Sequence, residues 1–330
     1  MASETFEQRI ERACKDKEIP GILLVADDRE GNFRYEEVFG NRSLKDSSKA
    51  DPLTKDATMW MASCSKFPTS VAVMQCVERG QLNLDDDVTG LLPELKGLPI
   101  LTKFDEGNTQ PTMAENTKPI TLRHLLTHSS GITYDVFNPT MMRYRIAVDK
   151  SGGMTPYGTA ADPEAPVEYT ENRVFGLDMP DCSGGAGLFG NVIDYQKLLH
   201  SICADDGKIL KKETVDYMFQ DHLSAVSKDV FNKRLENPAI REILGGGVMT
   251  GMEIGYGLGG MIFLNDVEGG RRAGTIAWGG YPNLLWFCDR KAGLSGIAGS
   301  QIVPSGDTKF NSLFALWEQE LYKKAGKGKW

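Results

Sequence analysis

The spacing of apolar positions changes several times along the chain. From Thr5 to Lys17 they form one stripe, Phe6, Ile10 and Ala13, at helical intervals, and Pro20-Gly21 ends it. Residues 21–28 and 33–39 read as two strands around a turn at 29–32. A polar loop spans 41–56, and a helix is expected from about Ser63 to Arg79 with Gly80 as its C-cap. Residues 83–93 are acidic and turn-rich. Ile120 to His128 reads as a short helix with Thr121 at its N-cap and Gly131 beyond its end. Residues 134–180 are rich in Pro, Gly and Asp, a long stretch for a loop within one compact domain. Asn191 caps a second amphipathic helix reaching Cys203. Past Gly245 the pattern turns to strands at 252–264, 272–280, 284–288 and 294–303, the last two joined by a hairpin turn at 289–293. A helix over 310–323 follows, with Phe310, Leu313, Phe314, Trp317 and Leu321 on one face.

Consecutive strands with short turns make an antiparallel sheet, which helices must cover. The pattern therefore predicts an α+β fold. Residues 1–88 and 180–330 would build a sheet-and-helix domain, with 89–179 a helical and loop domain inserted in it. No internal repeat is found.

Composition narrows the function. With 41% hydrophobic and 25% charged residues the chain has the make-up of a soluble globular protein. Its net charge of −8 repels phosphate backbones, which argues against nucleic acid as a partner. The basic run 323–329 reads as a solvated end. The first ten residues are too charged for a signal peptide, and no apolar run is long enough to span a membrane. Six scattered cysteines without a C-x-x-C spacing read as free thiols, which suggests a cytoplasmic protein. His124 and His128 lie four apart, but Leu125 stands where a zinc protease needs Glu, so both read as structural. No metal or cofactor is expected. The absence of G-x-S-x-G argues against an α/β-hydrolase elbow, and Gly245-Gly246-Gly247 lacks the Lys of a phosphate loop.

Ser63 and Lys66 carry the candidate chemistry. Three residues apart at the entrance of an apolar helix, their side chains are neighbours on one face. A serine hydroxyl needs a base to become a good nucleophile, and lysine serves only if burial or positive charge lowers its pKa. Free N–H groups at a helix N-terminus suit a developing oxyanion. The same spacing also fits an N-cap serine beside a solvated lysine. Trp278-Gly279-Gly280, near a strand end, fits either a β-bulge or a close approach of backbone, to another stretch of chain or to a substrate.

The surrounding runs resemble the class C β-lactamase and penicillin-binding superfamily. They are Met61-Ala62-Ser63-Cys64-Ser65-Lys66, Val77-Glu78-Arg79-Gly80, Leu84-Asp85-Asp86-Asp87 and the stretch from Ile120 to Gly131. Ser183-Gly184-Gly185-Ala186-Gly187-Leu188-Phe189 and Trp278-Gly279-Gly280-Tyr281-Pro282-Asn283-Leu284 resemble its esterase and transesterase branch, which includes fungal lovastatin-type acyltransferases and family VIII carboxylesterases. The resemblance implies a β-lactamase/transpeptidase-like fold and a serine hydrolase or acyltransferase of secondary metabolism. Ser63 would be acylated and Lys66 would shuttle its proton. The backbone N–H groups of Ser63 and Tyr281 would hold the oxyanion. Trp278, Gly279 and Gly280, in place of the β-lactamase Lys-Thr-Gly, would face a neutral small-molecule ester or thioester, with an acyl-carrier donor left open.

The family also uses a tyrosine, in a Tyr-x-Asn or Tyr-Ser motif, that should fall between Gly131 and Ser183. No such motif stands there. Tyr134, Tyr157 and Tyr169 have the wrong surroundings, and Tyr281-Pro282-Asn283 spells the motif at the wrong place. The inserted domain therefore reads as shortened near 149–156. The alternative is a member that keeps the fold and a ligand cleft without turnover; a β-lactamase proper fits less well.

Overall fold

The computed structural model describes residues 4–46, 49, 51–103, 111–134, 138–144, 165–171 and 181–327. Helix α1 (Phe6–Lys15) is followed by strands β1 (Gly21–Asp28) and β2 (Arg34–Gly40) and a two-residue strand, β3 (Met59–Trp60). A 3-10 turn, Ala62–Ser65, leads into α2 (Lys66–Glu78). Next come β4 (Ile100–Lys103), β5 (Thr112–Ala114), α3 (Leu122–Leu126) and α4 (Pro139–Tyr144). Then follow β6 (Phe189–Gly190), α5 (Val192–Ala204), α6 (Lys212–Met218), α7 (Ala225–Leu235) and α8 (Pro238–Leu244). Strands β7 (Ile254–Tyr256), β8 (Met261–Phe263), β9 (Ile276–Gly280), β10 (Leu284–Asp289) and β11 (Leu294–Gly299) precede α9 (Thr308–Lys324).

Two compact units result, Met1–Gln75 with Thr159–Trp330, and Cys76–Gly158. The first holds a seven-stranded antiparallel sheet in the order β2-β1-β11-β10-β9-β8-β7. All eight residues of β1 are buried, which requires cover on both faces. Side chains alternate along a strand, so Ile22, Leu24 and Ala26 join the core with Phe6 and Ile10 of α1 and Phe310, Phe314 and Trp317 of α9. Asp27, in the opposite phase, accepts from Gln196 and contacts His200, both on α5. The turn of α1 is closed by a capping box between Thr5 and Gln8. A buried ion pair fixes α9, where Arg271 donates twice to Glu318 at 2.7 and 2.6 Å.

In the second unit β4 pairs with β5, and Arg123 at the start of α3 donates twice to Asp85. His124 accepts from the Thr121 backbone N–H, closing the α3 N-cap, so it is structural as expected.

The expected antiparallel sheet with flanking helices is present. The stretch 252–264 is two strands rather than one, because Gly257-Leu258-Gly259-Gly260 turns the chain back on itself. Strand β9 begins at Ile276 rather than 272, and β11 stops at Gly299 rather than 303. The long loop 134–180 contains a helical turn, α4. Helices α6, α7 and α8 had no counterpart in the apolar pattern. The segment expected to be shortened, 149–156, and Tyr157 lie outside the described residues.

Candidate active site

The 3-10 turn carrying Ser63 sits in a buried socket. Met61, Ala62, Cys64 and Ser65 are all buried, while Ser63 is half-buried and reachable. Tyr195 of α5 donates its hydroxyl to the Cys64 carbonyl at 3.0 Å. Phe67 packs on Trp286 of β10 with ring centres 4.6 Å apart, and Tyr195 lies 6.2 Å from the same ring. Ala62 is held at a φ of 44°, in the left-handed region that a residue with a Cβ adopts only under constraint. The strain stands immediately before Ser63 and turns the backbone into α2.

Lys66 is the first residue of α2. Its Nζ lies 3.0 Å from Ser63 Oγ and donates to the Gly185 carbonyl at 2.7 Å. Burial removes water from the ammonium, so the pKa falls from 10.5 to about 8. At pH 7 roughly a tenth of Lys66 is then free amine, against a negligible share at its ordinary pKa. In that form one N–H still donates to Gly185 while the lone pair faces the Ser63 hydroxyl. The neighbouring Cys64 is fully buried, and burial raises its thiol pKa, so it is a poor competitor as a nucleophile.

A strap over residues 183–188 covers the turn. Besides the Gly185 contact, Thr69 Oγ1 donates to the Gly184 carbonyl at 2.7 Å, and Leu188 N–H donates to Ser65 Oγ at 3.0 Å. Met61 N–H donates to the Leu188 carbonyl, and Trp60 Nε1 donates to the Ala186 carbonyl at 2.8 Å. The strap's glycine run gave no hint, by itself, that it would be the acceptor for a lysine 119 residues earlier.

Strand β9 brings Gly280, the last residue of Trp278-Gly279-Gly280, against the same turn. A methyl on Gly280 would come within 2.4 Å of the Met61 carbonyl and 3.2 Å of Cys64 Sγ; on Gly279 it would meet the Leu284 carbonyl at 2.6 Å. Both glycines thus serve close backbone approach, not a bulge, since β9 keeps regular register with β10. Trp278 is half-buried and meets Tyr256 edge-on at 5.6 Å. Tyr281 follows directly, its ring 6.2 Å from Trp60. Asn283 is buried and ties the turn to the segment 302–307, donating to the Ile302 and Pro304 carbonyls. Tyr281-Pro282-Asn283 is thereby a structural turn. Among the described residues no group of His, Cys, Asp and Glu side chains is placed to hold a metal ion, and no helix is long and apolar enough to cross a membrane.

An antiparallel sheet flanked by helices, with a Ser-x-x-Lys turn against one of its strands, defines the β-lactamase/transpeptidase-like class of serine acyl-transfer folds. Residues 6–145 match the β-lactamase family. The chain is 30% identical over 401 aligned positions to monacolin J acid methylbutanoyltransferase of Aspergillus terreus, covering 98% of this chain and 96% of that one. It is 29% identical over 395 positions to lovastatin esterase of Penicillium rubens, covering 97% of each. The unliganded simvastatin synthase of Aspergillus terreus superposes with a TM-score of 0.85 at 28% identity, covering 97% of each chain. The chain belongs to the β-lactamase family, and its relatives there are acyltransferases and esterases. It is an enzyme of that branch. A chain of 330 residues cannot fill 401 aligned positions, so at least 71 of them have no counterpart here.

Proposed function

We propose that the protein transfers acyl groups from small-molecule esters or thioesters through a Ser63 acyl-enzyme. The observation that carries this is the 3.0 Å contact between Ser63 Oγ and a lysine whose amine burial holds near pH 8. As Ser63 Oγ bonds to the acyl carbon, its proton passes to the Lys66 amine. The carbonyl electron pair becomes an oxyanion held by the backbone N–H groups of Ser63 and Tyr281. When the oxyanion collapses, the leaving alcohol or thiol takes the proton back from Lys66. Water or a second alcohol then enters by the reverse path and frees Ser63.

Trp278, Gly279 and Gly280 form the substrate-facing edge. An aromatic residue with two glycines offers apolar surface and no positive charge, which favours neutral acyl compounds over the carboxylate of a β-lactam. The names of the relatives support the same class, transfer or hydrolysis of an acyl ester on a fungal metabolite, and an acyl-carrier donor fits a thioester-using site. A cytoplasmic setting accords with six free cysteines. A second reading, a binding protein with little turnover, is favoured by the alignment positions this chain lacks and by the missing tyrosine motif. On either reading the chain is organised as a sheet-and-helix domain with a shortened inserted helical domain.

Labelling with a fluorophosphonate separates the two. Enzyme chemistry predicts one adduct, on Ser63, and loss of ester hydrolysis in Ser63→Ala. No adduct, together with wild-type ester hydrolysis no faster than that of Ser63→Ala, removes the reading of turnover through Ser63.

A further inference from the structure

Trp60 joins three parts of the site. Its backbone pairs with Phe189 in the β3–β6 ladder, and Gln301 brackets it by accepting from Trp60 N–H at 3.2 Å and donating to its carbonyl at 3.3 Å. The indole N–H donates to the Ala186 carbonyl at 2.8 Å. The carbonyl one residue earlier, on Gly185, is the acceptor for Lys66 Nζ. The Tyr281 ring lies beside the indole, with ring centres 6.2 Å apart and planes tilted by 46°. Two adjacent carbonyls of one strap are therefore held by the lysine and by the tryptophan, and the same tryptophan packs the residue that ends the Gly279-Gly280 approach.

We propose that Trp60 is a positioning residue for acyl transfer: its N–H fixes the strap that orients Lys66 on Ser63, and its ring seats Tyr281 beside them. This rests on the Ser63 and Lys66 roles given above. A hydrogen bond from a half-buried indole to a strap carbonyl does little for folding compared with the core. Its consequence is geometric: the strap stays tethered at Gly184 and Leu188, but without the Ala186 bond the Gly185 carbonyl between them can shift off Nζ. Water then reaches Lys66. The ammonium is better solvated, the amine is rarer at a given pH, and its lone pair is no longer directed at Ser63. A shift of about 1 Å in such a contact costs on the order of 100-fold in rate.

The test is the pH dependence of fluorophosphonate labelling at Ser63, read by peptide mass, in the wild type, Ser63→Ala and Trp60→Phe. Phenylalanine keeps a ring against Tyr281 and removes the donor. Trp60→Phe is expected to label roughly 10- to 100-fold more slowly, with the midpoint of its pH profile raised by about half a unit or more. A purely structural role would lower the melting temperature and leave the midpoint of the folded fraction in place. If Trp60→Phe does not fold, β-(3-benzothienyl)alanine at position 60, which keeps the shape of tryptophan without its N–H, decides by the same criterion. Wild-type rate and midpoint in the folded variant overturn the role of Trp60 and leave Ser63 untouched. Labelling of Ser63→Ala at the wild-type rate instead overturns the assignment of Ser63 itself.

Discussion

Gly280 lies against the carbonyl of Met61 so closely that a Cβ in its place would stand 2.4 Å from that oxygen. The oxygen belongs to backbone and cannot swing aside, so an added methyl group must push β9 away from the turn that carries Ser63. Gly280→Ala is expected to lose about 1–3 kcal/mol of stability from overpacking. Its kcat/KM for a p-nitrophenyl ester should fall by about 100-fold, since the Tyr281 backbone moves with the strand. Chemical denaturation and steady-state kinetics on the same preparation measure both.

Lys66 sets the pH dependence of acylation. The reactive form is the free amine, so the rate should rise with pH through about 8 and level off above it. Lys66→Met keeps the stem and removes the base. It should lower kcat/KM by roughly 10²- to 10⁴-fold and abolish the rise. A stopped-flow acylation profile from pH 6 to 10 reads this.

The same burial has a consequence for folding. The unfolded chain keeps the Lys66 proton up to its ordinary 10.5, the folded chain only up to about 8. Between those values the unfolded state binds more protons, so raising the pH favours the folded state. This contribution is complete above 10.5 and is lost as the pH falls through 8. Urea unfolding of the wild type should therefore gain stability relative to Lys66→Met as pH rises from 8 to 10, with no further relative change between pH 6 and 7.

Arg271 and Glu318 are 4% and 2% exposed and pair twice. The guanidinium also lies over the ring of Phe263, 4.5 Å from its centre. Glu318→Ala leaves a buried cation without its partner and should cost about 3–5 kcal/mol, while Arg271→Met with Glu318→Leu should be close to neutral. Thermal unfolding of both variants tests the difference.

Where the apolar period was strong and a cap was present, the sequence was enough. Helices α1, α5 and α9 bury the stripes their spacing predicts, and Asn191 caps as read. Helices α7 and α8 were missed because their stripes are short and only partly buried: Phe231 and Leu235 on one, Ile240 and Leu244 on the other. Their caps were the available signal: Ser224 accepts from Ser227 N–H, and Asn237 precedes Pro238 at the first helical position. The β7–β8 hairpin was read as one strand because both arms are wholly apolar, although three glycines lie between them.

At the site, Ser63 and Lys66 were legible because helix geometry makes residues three apart neighbours. The Gly279-Gly280 pair left a bulge and a close approach both open, and the sequence did not say what it would approach. The hold of Gly185 on Lys66, the anchoring by Trp60 and the positive φ of Ala62 were not legible. Each depends on segments far apart in sequence or on strain imposed from outside, and no local pattern records either.

The central claim is that acyl groups pass through Ser63. Its most direct test is the intact mass of the protein, quenched within its first turnovers of a short-chain acyl thioester, followed by peptide mapping. The account predicts a mass gain equal to one acyl group, on Ser63, absent from Ser63→Ala and greatly slowed in Lys66→Met. Acyl transfer at the wild-type rate by Ser63→Ala, or an adduct on any other residue, would contradict it.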